Sequence, residues 1–402
     1  MTVTGAESGS WGRPMTAEVR LKPRGKTMPS SWVEIDLSAL RHNFFQAKNR
    51  MSSKTRILGV VKSDAYGHGM IPVARELAAC GAHFFAVSKL WEAAELHAAN
   101  LGLPVVVLLG VEPAEMVEAV AIGVRPVVFR MDHAKALSRV ACSLNKEAIV
   151  HLKVDTGMGR LGVPCAEVES FLDELIRLPG IRIEGILSHF AVADESDKSY
   201  CELQLGRFRQ VLQTAAARGL PVYGHIANSA GLLDLPHAHF QLVRPGIMLY
   251  GSPPSDELLQ PADLRPVMHF KSTILHLKNV PEGQPIGYGR TYVTRRPSRI
   301  ATVPVGYDDG YSRLLSNRGQ VLVRGKRAPV VGRISMNMIT VDVTHIPEAA
   351  EDDEVVLLGC QEEECITGEE IAALCGTISY EIFCSFGRNR YKTFLNAGAS
   401  GQ

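Results

Sequence analysis

Eight short apolar segments alternate with helical segments between residues 57 and 245, and this alternation constrains the fold more than any other feature. The helical intervals have apolar residues at helical spacing, and the connections are short. Strands that alternate with helices form parallel sheets through right-handed crossovers, so eight units predict a closed (β/α)8 TIM barrel. A doubly wound open sheet is the alternative. The predicted strands are 57–62, 83–88, 105–109, 125–129, 148–155, 182–189, 222–227 and 240–245.

Beyond about residue 265 the pattern changes to β-branched segments that are broken by Gly and Pro, which predicts a C-terminal all-β domain. A single helix is expected near residues 368–375, because Thr367 and Glu370 form a capping box. Met28 is an alternative start of the chain. The predicted strands are 267–277, 299–305, 320–325, 329–343 and 354–358. The predicted division is a disordered N-terminal extension (1–28), an α/β barrel (29–265), a β domain (266–395) and a tail (396–402).

Composition narrows the class of function. The 402 residues include 43 Lys and Arg against 42 Asp and Glu, which gives no electrostatic footprint for nucleic acid or an anionic membrane and favours a small-molecule substrate. The eight cysteines contain no CxxC pair, so neither a disulfide framework nor a metal site is expected and a reducing compartment is favoured. No apolar run is long enough for a membrane helix and no signal peptide is recognisable, so we expect a cytoplasmic protein.

The first predicted strand ends at Lys62, which is followed by Tyr66-Gly67-His68-Gly69 and then by a helical pattern from about Met70 to Cys80. A lysine at the end of a buried strand either extends to solvent or is used chemically. A turn rich in glycine before a helix can hold a phosphate group. Lys62 and its turn are therefore the first candidate functional residues.

Polar residues also follow the fifth to eighth predicted strands, and in a TIM barrel chemistry takes place at these carboxyl ends. Each has an ordinary explanation: His189 as a buried barrel histidine, Ser229 as a helix cap, and Arg244 as the partner of a buried carboxylate. Together they predict one site, with phosphate bound after strands seven and eight through backbone amides. The set comprises Lys153, Asp155, Arg160, His189, Asn228, Ser229, Arg244, Gly246 and Ile247.

These motifs resemble those of alanine racemases, from Trp32 to about Tyr391. The matching motifs include the Lys62 stretch, Asp155-Thr-Gly-Met-Gly-Arg160, Ser188-His-Phe-Ala, Asn228-Ser229-Ala, Arg244-Pro-Gly-Ile-Met-Leu-Tyr-Gly251, Val305-Gly-Tyr307-Asp-Asp-Gly310 and Gly332-Arg-Ile-Ser-Met336. The resemblance implies an isomerase that depends on pyridoxal 5'-phosphate (PLP) and interconverts L- and D-alanine with two bases, supplying D-alanine for peptidoglycan. It also implies a barrel followed by a β domain, and a homodimer with shared active sites.

The resemblance also implies a role for each matched residue. Lys62 forms the Schiff base with PLP and is one base, and Tyr307 from the partner subunit is the other. Arg244 faces the pyridine nitrogen, which leaves it unprotonated and discourages side reactions such as transamination. His189 stacks near the cofactor ring and links to Tyr307. The cofactor contacts are Lys62, Tyr66, His189, Asn228, Ser229, Arg244, Gly246 and Ile247; the substrate carboxylate meets Arg160 and the Met336 amide; and Lys153 aligns with a lysine that is carbamylated in many members.

Two departures from the family pattern keep alternatives open. Asn337 stands where the family usually has Asp, which favours a broader-specificity or serine racemase of the same fold as the alternative function. The segment from Cys384 to Tyr391 also departs from the pattern, so no site residue is assigned there. A decarboxylase of this architecture would carry a glycine triplet for phosphate that is missing here, and a non-catalytic PLP carrier would leave the β domain unexplained.

Overall fold

A computed structural model describes residues 30–389 and 391–397, so the predicted N-terminal extension and most of the predicted tail lie outside the described residues. Eight parallel strands form a continuous ladder in which the first seven strands pair in chain order and the eighth pairs with the first. The predicted barrel is confirmed. Its strands are Arg56–Val60, Phe84–Val87, Val105–Val107, Arg125–Val128, Ala148–Asp155, Ile181–Leu187, Tyr223–His225 and Leu242–Val243, and Val163–Pro164 pairs with the fifth.

The ring is nearly closed between its seventh and eighth strands. There the Arg244 amide donates to the Ala227 carbonyl at 2.9 Å, and the Gln241 side-chain oxygen accepts from the Gly224 amide at 3.0 Å. Because the carboxyl ends of all eight strands meet at one face, residues that are far apart in the chain converge there.

Seven helices follow the first seven strands, and a 3-10 turn, Ile247–Tyr250, follows the eighth. An eighth helix, Leu37–Lys48, precedes the barrel and begins where the Asp36 carboxylate accepts from the Ser38 and Ala39 amides. It buries Leu40, Phe44 and Ala47, which lie on one helical face. The helices after the strands are Met70–Cys80, Leu90–Ala98, Met116–Ile122, Met131–Ser143, Val168–Leu175, Ser199–Ala216 and Ser229–Asp234.

The C-terminal part is a β domain, as predicted. Its main sheet contains Lys326–Pro329, Gln320–Val323, Glu354–Gln361, Met268–Thr273, Ser31–Asp36 and Lys392–Leu395 in that order, with Glu364–Ile366 beside Glu354–Gln361. Residues 31–36, which the sequence-based division groups with the barrel, pair with strands of this sheet. A second sheet contains His276–Val280, Ser298–Val303 and Ile339–Asp342, and Pro285–Ile286 pairs with Tyr292–Val293.

Two helices, Gly368–Cys375 and Ser379–Phe386, lie in this domain, whereas the sequence predicted only the first. The Thr367 hydroxyl caps the first helix by accepting from the Glu370 amide, but no side chain caps the second, whose preceding residue is Ile378. The second helix therefore carries no start signal in the sequence.

Cys360 and Cys365 form a disulfide, although the sequence predicted no disulfide framework. The two residues face each other directly across the hairpin of Glu354–Gln361 and Glu364–Ile366, with their Cα atoms 4.1 Å apart. A spacing of five residues brings cysteines together only when a tight hairpin lies between them, and the cysteine spacing alone does not reveal that hairpin.

The barrel and the β domain share one continuous hydrophobic core. Phe44 and Leu58 of the barrel side and Phe270 and Phe386 of the β domain belong to the same cluster of buried side chains. Among the described residues, no helix combines the length and apolar character required to span a lipid bilayer. No group of three or more potential metal-binding His, Cys, Asp or Glu side chains occurs in the described ranges either.

Candidate active site

A cavity of about 300 Å³ opens at the carboxyl ends of the barrel strands. A volume of this size suits a small ligand or cofactor. The sequence assigned ten barrel residues as cofactor contacts, as a substrate contact or as the lysine that is carbamylated in many relatives, and all ten line this cavity. They are Lys62, Tyr66, Lys153, Arg160, His189, Asn228, Ser229, Arg244, Gly246 and Ile247.

Lys62 follows the first barrel strand and leads into an unusual turn. Ser63, Asp64, Ala65 and Tyr66 all have left-handed backbone angles, with φ between 54° and 55°. Residues other than glycine in this conformation each cost about 1–2 kcal/mol, so surrounding contacts must hold the turn. His68 supplies two of them, because its buried Nδ1 donates to the Ala65 and Tyr66 carbonyls at 3.0 and 3.1 Å.

The electrostatic environment favours the neutral form of the Lys62 amine. Burial lowers the pKa of Lys62 below its usual value, and the Arg160 guanidinium lowers it further. Since a neutral amine is the nucleophilic form, this environment prepares Lys62 for covalent chemistry and for proton transfer.

Tyr66 and Gly246 form a narrow cradle at one end of the cavity. A Cβ atom at position 246 would lie 2.6 Å from the Tyr66 hydroxyl, so only glycine fits there. The Ser229 hydroxyl accepts from the Gly246 amide at 2.9 Å, and the Asn228 side chain accepts from the Gly231 amide at 2.9 Å. Hydroxyl groups and close backbone amides of this kind suit an anionic group such as a phosphate.

Arg244 also lines the cavity and is buried. Its guanidinium donates to the Ser188 carbonyl at 2.7 Å and to the His225 carbonyl at 2.8 Å. It also lies 3.0 Å from Nδ1 of His189, which must accept because guanidinium only donates. Burial lowers the pKa of Arg244 to about 10, so it remains a cation at neutral pH. Burial, together with this cation, holds the pKa of His189 well below its usual value, which leaves the imidazole neutral.

A buried hydrogen-bonded chain continues from Arg244 into the barrel interior. The guanidinium lies 3.2 Å from Nδ1 of His225, Nε2 of His225 lies 2.9 Å from Nδ1 of His151, and Nε2 of His151 lies 3.2 Å from the Glu184 carboxylate. Because Arg244 must donate, the order of donors is fixed along the chain and Glu184 is the final acceptor. Sequence reasoning missed this role for His151, His225 and Glu184, and their only signal was polar residues inside otherwise apolar strands.

Lys153 faces two cations, Arg160 and Arg244, in the cavity wall. Burial lowers the pKa of Lys153 to about 7, and the two guanidinium groups contribute to this shift. Close to neutral pH a large fraction of the Lys153 amine is therefore uncharged.

Tyr307 and Met336 do not line the cavity of this chain. Both side chains are exposed on the β domain, at 44% and 53%. They lie beside each other, because the Tyr307 amide donates to the Ser335 carbonyl and the Asp308 amide donates to the Met336 carbonyl. Tyr380, in the helix that the sequence did not predict, does line the cavity and was missed as a site residue.

Two sequence models of known families match the chain. The alanine racemase N-terminal domain matches residues 35–254 and the alanine racemase C-terminal domain matches residues 267–394. The chain belongs to the alanine racemase family. It is a racemase that interconverts L- and D-alanine, as the sequence motifs predicted, and the serine or broader-specificity alternative is not favoured.

Individual relatives agree over nearly the full length. The alanine racemase of Syntrophobacter fumaroxidans is 69% identical over 93% of this chain and 100% of that protein, and the enzyme of Halothermothrix orenii is 46% identical over 91% and 97%. The solved alanine racemase of Clostridium difficile 630 has a TM-score of 0.87 at 35% identity, covering 92% of this chain and 97% of that one. The enzyme of Bartonella henselae, solved with covalently bound pyridoxal phosphate, has a TM-score of 0.83 at 30% identity, covering 92% and 100%.

Proposed function

We propose that this alanine racemase binds PLP through Lys62 and works as a homodimer in which Tyr307 of a second copy of the chain faces Lys62. One observation carries the proposal: a single cavity gathers the barrel residues around Lys62, while Tyr307 and Met336 are exposed on the β domain of the same chain. A second copy that covers the cavity with its β domain would complete the site.

The residues of the cavity fit PLP. Tyr66, Ser229 and Gly246 together suit the phosphate. Because Gly246 has no side chain, a phosphate can come close to the backbone there. Asn228 and Ile247 also line the cavity, and Arg244 would donate to the pyridine nitrogen. When bound, PLP supplies the electron sink that makes the α-proton of the amino acid acidic.

The chain's own groups divide the remaining work. Lys62, with its lowered pKa, takes or returns the proton at one face of the α-carbon. Tyr307 of the second copy does so at the opposite face, and a phenol is an effective base there only if nearby cations favour its ionised form. The proposed neighbour of that phenol is neutral His189, and the positive charge comes from the Arg244 guanidinium, which donates to Nδ1 of His189. Arg160 and the Met336 amide of the second copy hold the substrate carboxylate.

The exposed apolar side chains of the β domain support the homodimer. Tyr307, Met336 and Met338 are exposed and lie together, because backbone hydrogen bonds join residues 307 and 308 to 335 and 336, and Ser335 to Met338. A cluster of exposed apolar side chains is typical of a surface that another chain covers. We further propose that the enzyme is cytoplasmic and supplies D-alanine for peptidoglycan, which is the role that the sequence resemblance implies.

Reduction with borohydride tests the cofactor assignment. The purified protein should be yellow, and borohydride should remove this absorbance and attach the cofactor covalently to Lys62 in the peptide map. Lys62→Ala should lose the absorbance and at least about 1,000-fold in kcat, since it removes both the cofactor anchor and a base. Labelling of a different lysine, or a protein that takes up no PLP, would refute the assignment.

A further inference from the structure

Glu92 is a buried carboxylate at the start of the helix Leu90–Ala98, and only 2% of the residue is exposed. Its Oε2 accepts from the amides of Ser88 and Lys89 at 2.7 and 3.0 Å. This is the ordinary arrangement of a capping box, in which a glutamate in the first helical turn binds backbone amides that precede the helix.

The second carboxylate oxygen makes a contact that the cap does not require. Oε1 of Glu92 accepts from the Ser63 amide at 2.5 Å. Ser63 directly follows Lys62 at the end of the first barrel strand, whereas Ser88 and Lys89 follow the second strand. One carboxylate thus joins two neighbouring strand ends, one of which carries Lys62.

The Ser63 amide belongs to the first residue of the left-handed turn, so this hydrogen bond holds the turn where it begins. The next residue, Asp64, ties the turn to the chain beyond it, because its carboxylate accepts from the Met70 amide at 2.7 Å and from Lys392 Nζ at 2.5 Å. A strained turn keeps its conformation only when contacts at both ends oppose its relaxation. Glu92 supplies the contact nearest to Lys62.

We propose that Glu92 is a positioning residue for Lys62: its carboxylate fixes the peptide that follows Lys62 and places a negative charge near the amine, so that the amine stays directed into the cavity. The inference rests on the proposed role of Lys62. Burial, Arg160 and Arg244 lower the pKa of Lys62, while the Glu92 carboxylate acts in the opposite direction. Glu92 therefore limits the loss of basicity that burial imposes.

Two substitutions separate the geometric effect from the charge effect. Glu92→Gln removes the charge and presents a side-chain NH2 to amides that need an acceptor, so kcat should fall roughly tenfold or more, with a smaller change in KM, because the amine is misplaced. Glu92→Asp keeps the charge but is too short to reach both strand ends, so kcat should also fall.

The titration of Lys62 is the second readout. With PLP as the probe, the amount fixed on Lys62 by borohydride is measured against pH on the full-length chain. Removing the negative charge disfavours the ammonium form, so the midpoint should move to lower pH in Glu92→Gln and stay near the wild-type value in Glu92→Asp.

Glu76→Gln is the matched control. Glu76 is also buried, at 8% exposure, and its carboxylate accepts from Arg41 at 2.7 Å on the outside of the barrel. This control should lose stability without a change in kcat or in the midpoint. If Glu92→Gln behaves in the same way as the control, the proposal is wrong.

Hydrogen exchange on the wild-type enzyme keeps the test decisive even if the Glu92 variants fail to fold. The Ser63 amide should exchange as slowly as the Ser88 and Lys89 amides, and rapid exchange at Ser63 alone would overturn the proposal. A failure of the proposed function is distinguishable, because in that case the wild-type enzyme would carry no borohydride label on Lys62.

Discussion

Arg244 is more than an isolated cation in the cavity wall, because backbone carbonyls hold its guanidinium rigidly. It donates to the carbonyls of Ser188, His225 and Ile226, and the two histidines beside it are neutral acceptors. A guanidinium keeps its protons and therefore cannot give one to a ring nitrogen. This geometry supports the predicted role of Arg244 in keeping the cofactor nitrogen unprotonated.

Lys153 gives a prediction at the residue scale. Its pKa of about 7 makes the neutral amine available for reaction with carbon dioxide, and the resulting carbamate would be a negative group between Arg160 and Arg244. We expect a carbamate carbon signal in NMR spectra of enzyme prepared with 13C-labelled bicarbonate, and no such signal from Lys153→Ala.

The pH dependence of stability provides a check on Lys153. An unmodified Lys153 would be protonated in the unfolded chain up to about pH 10.5 but only below about pH 7 in the folded one. Because the unfolded state would then bind more protons, its contribution to stability would rise with pH across that window. A carbamate lacks this titration. Wild-type enzyme with that Lys153-dependent rise, and without the NMR signal, would show that the lysine is unmodified.

At the scale of elements, the left-handed turn Ser63–Tyr66 depends on Asp64. Asp64→Ala should lower the free energy of unfolding by about 1–2 kcal/mol, because it removes the cap on the Met70 amide and places alanine at positive φ. Asp64→Asn keeps an acceptor and tolerates that φ, so it should cost less than about 1 kcal/mol, chiefly from the partly exposed pair with Lys392. Urea denaturation measures both values, and equal losses would contradict the capping role.

The sequence predicted the barrel well because its strands are buried on both faces and read as apolar runs. The eighth strand is nevertheless only Leu242–Val243, where the sequence predicted 240–245. In the β domain, the predicted strand 329–343 is interrupted at Gly332, whose φ of 80° breaks the extended backbone. Where tertiary contacts determine the ends of a strand, the local sequence indicates those ends only weakly.

The site residues divide in the same way. Residues at strand ends, such as Lys62 and Arg244, could be predicted because barrel geometry alone brings those ends together. Tyr380, Glu92 and His151 could not be predicted. Tyr380 lies in a helix without a start signal, Glu92 acts through the second oxygen of a capping carboxylate, and His151 makes its contacts in the barrel interior. No local pattern in the sequence encodes these contacts.

At the scale of the whole molecule, the strand that precedes the barrel connects the two domains. Ser31–Asp36 lies in the β-domain sheet, between Met268–Thr273 and Lys392–Leu395, and leads directly into the helix Leu37–Lys48 of the barrel. The shared hydrophobic core makes rigid attachment of the β domain to its own barrel favourable. In this arrangement Tyr307 stays on the exterior of its own chain, where a second copy can use it.

Subunit mixing tests the shared active site most directly. Lys62→Ala and Tyr307→Phe homodimers should each racemise alanine poorly, because each lacks one base at both sites. After dissociation and random re-pairing of equal amounts, about half of the dimers should be mixed, each with one intact site and one doubly defective site. About a quarter of wild-type activity should therefore return, as two-fold symmetry requires. If mass spectrometry confirms complete exchange and no activity returns, both bases belong to one chain and the shared site is contradicted.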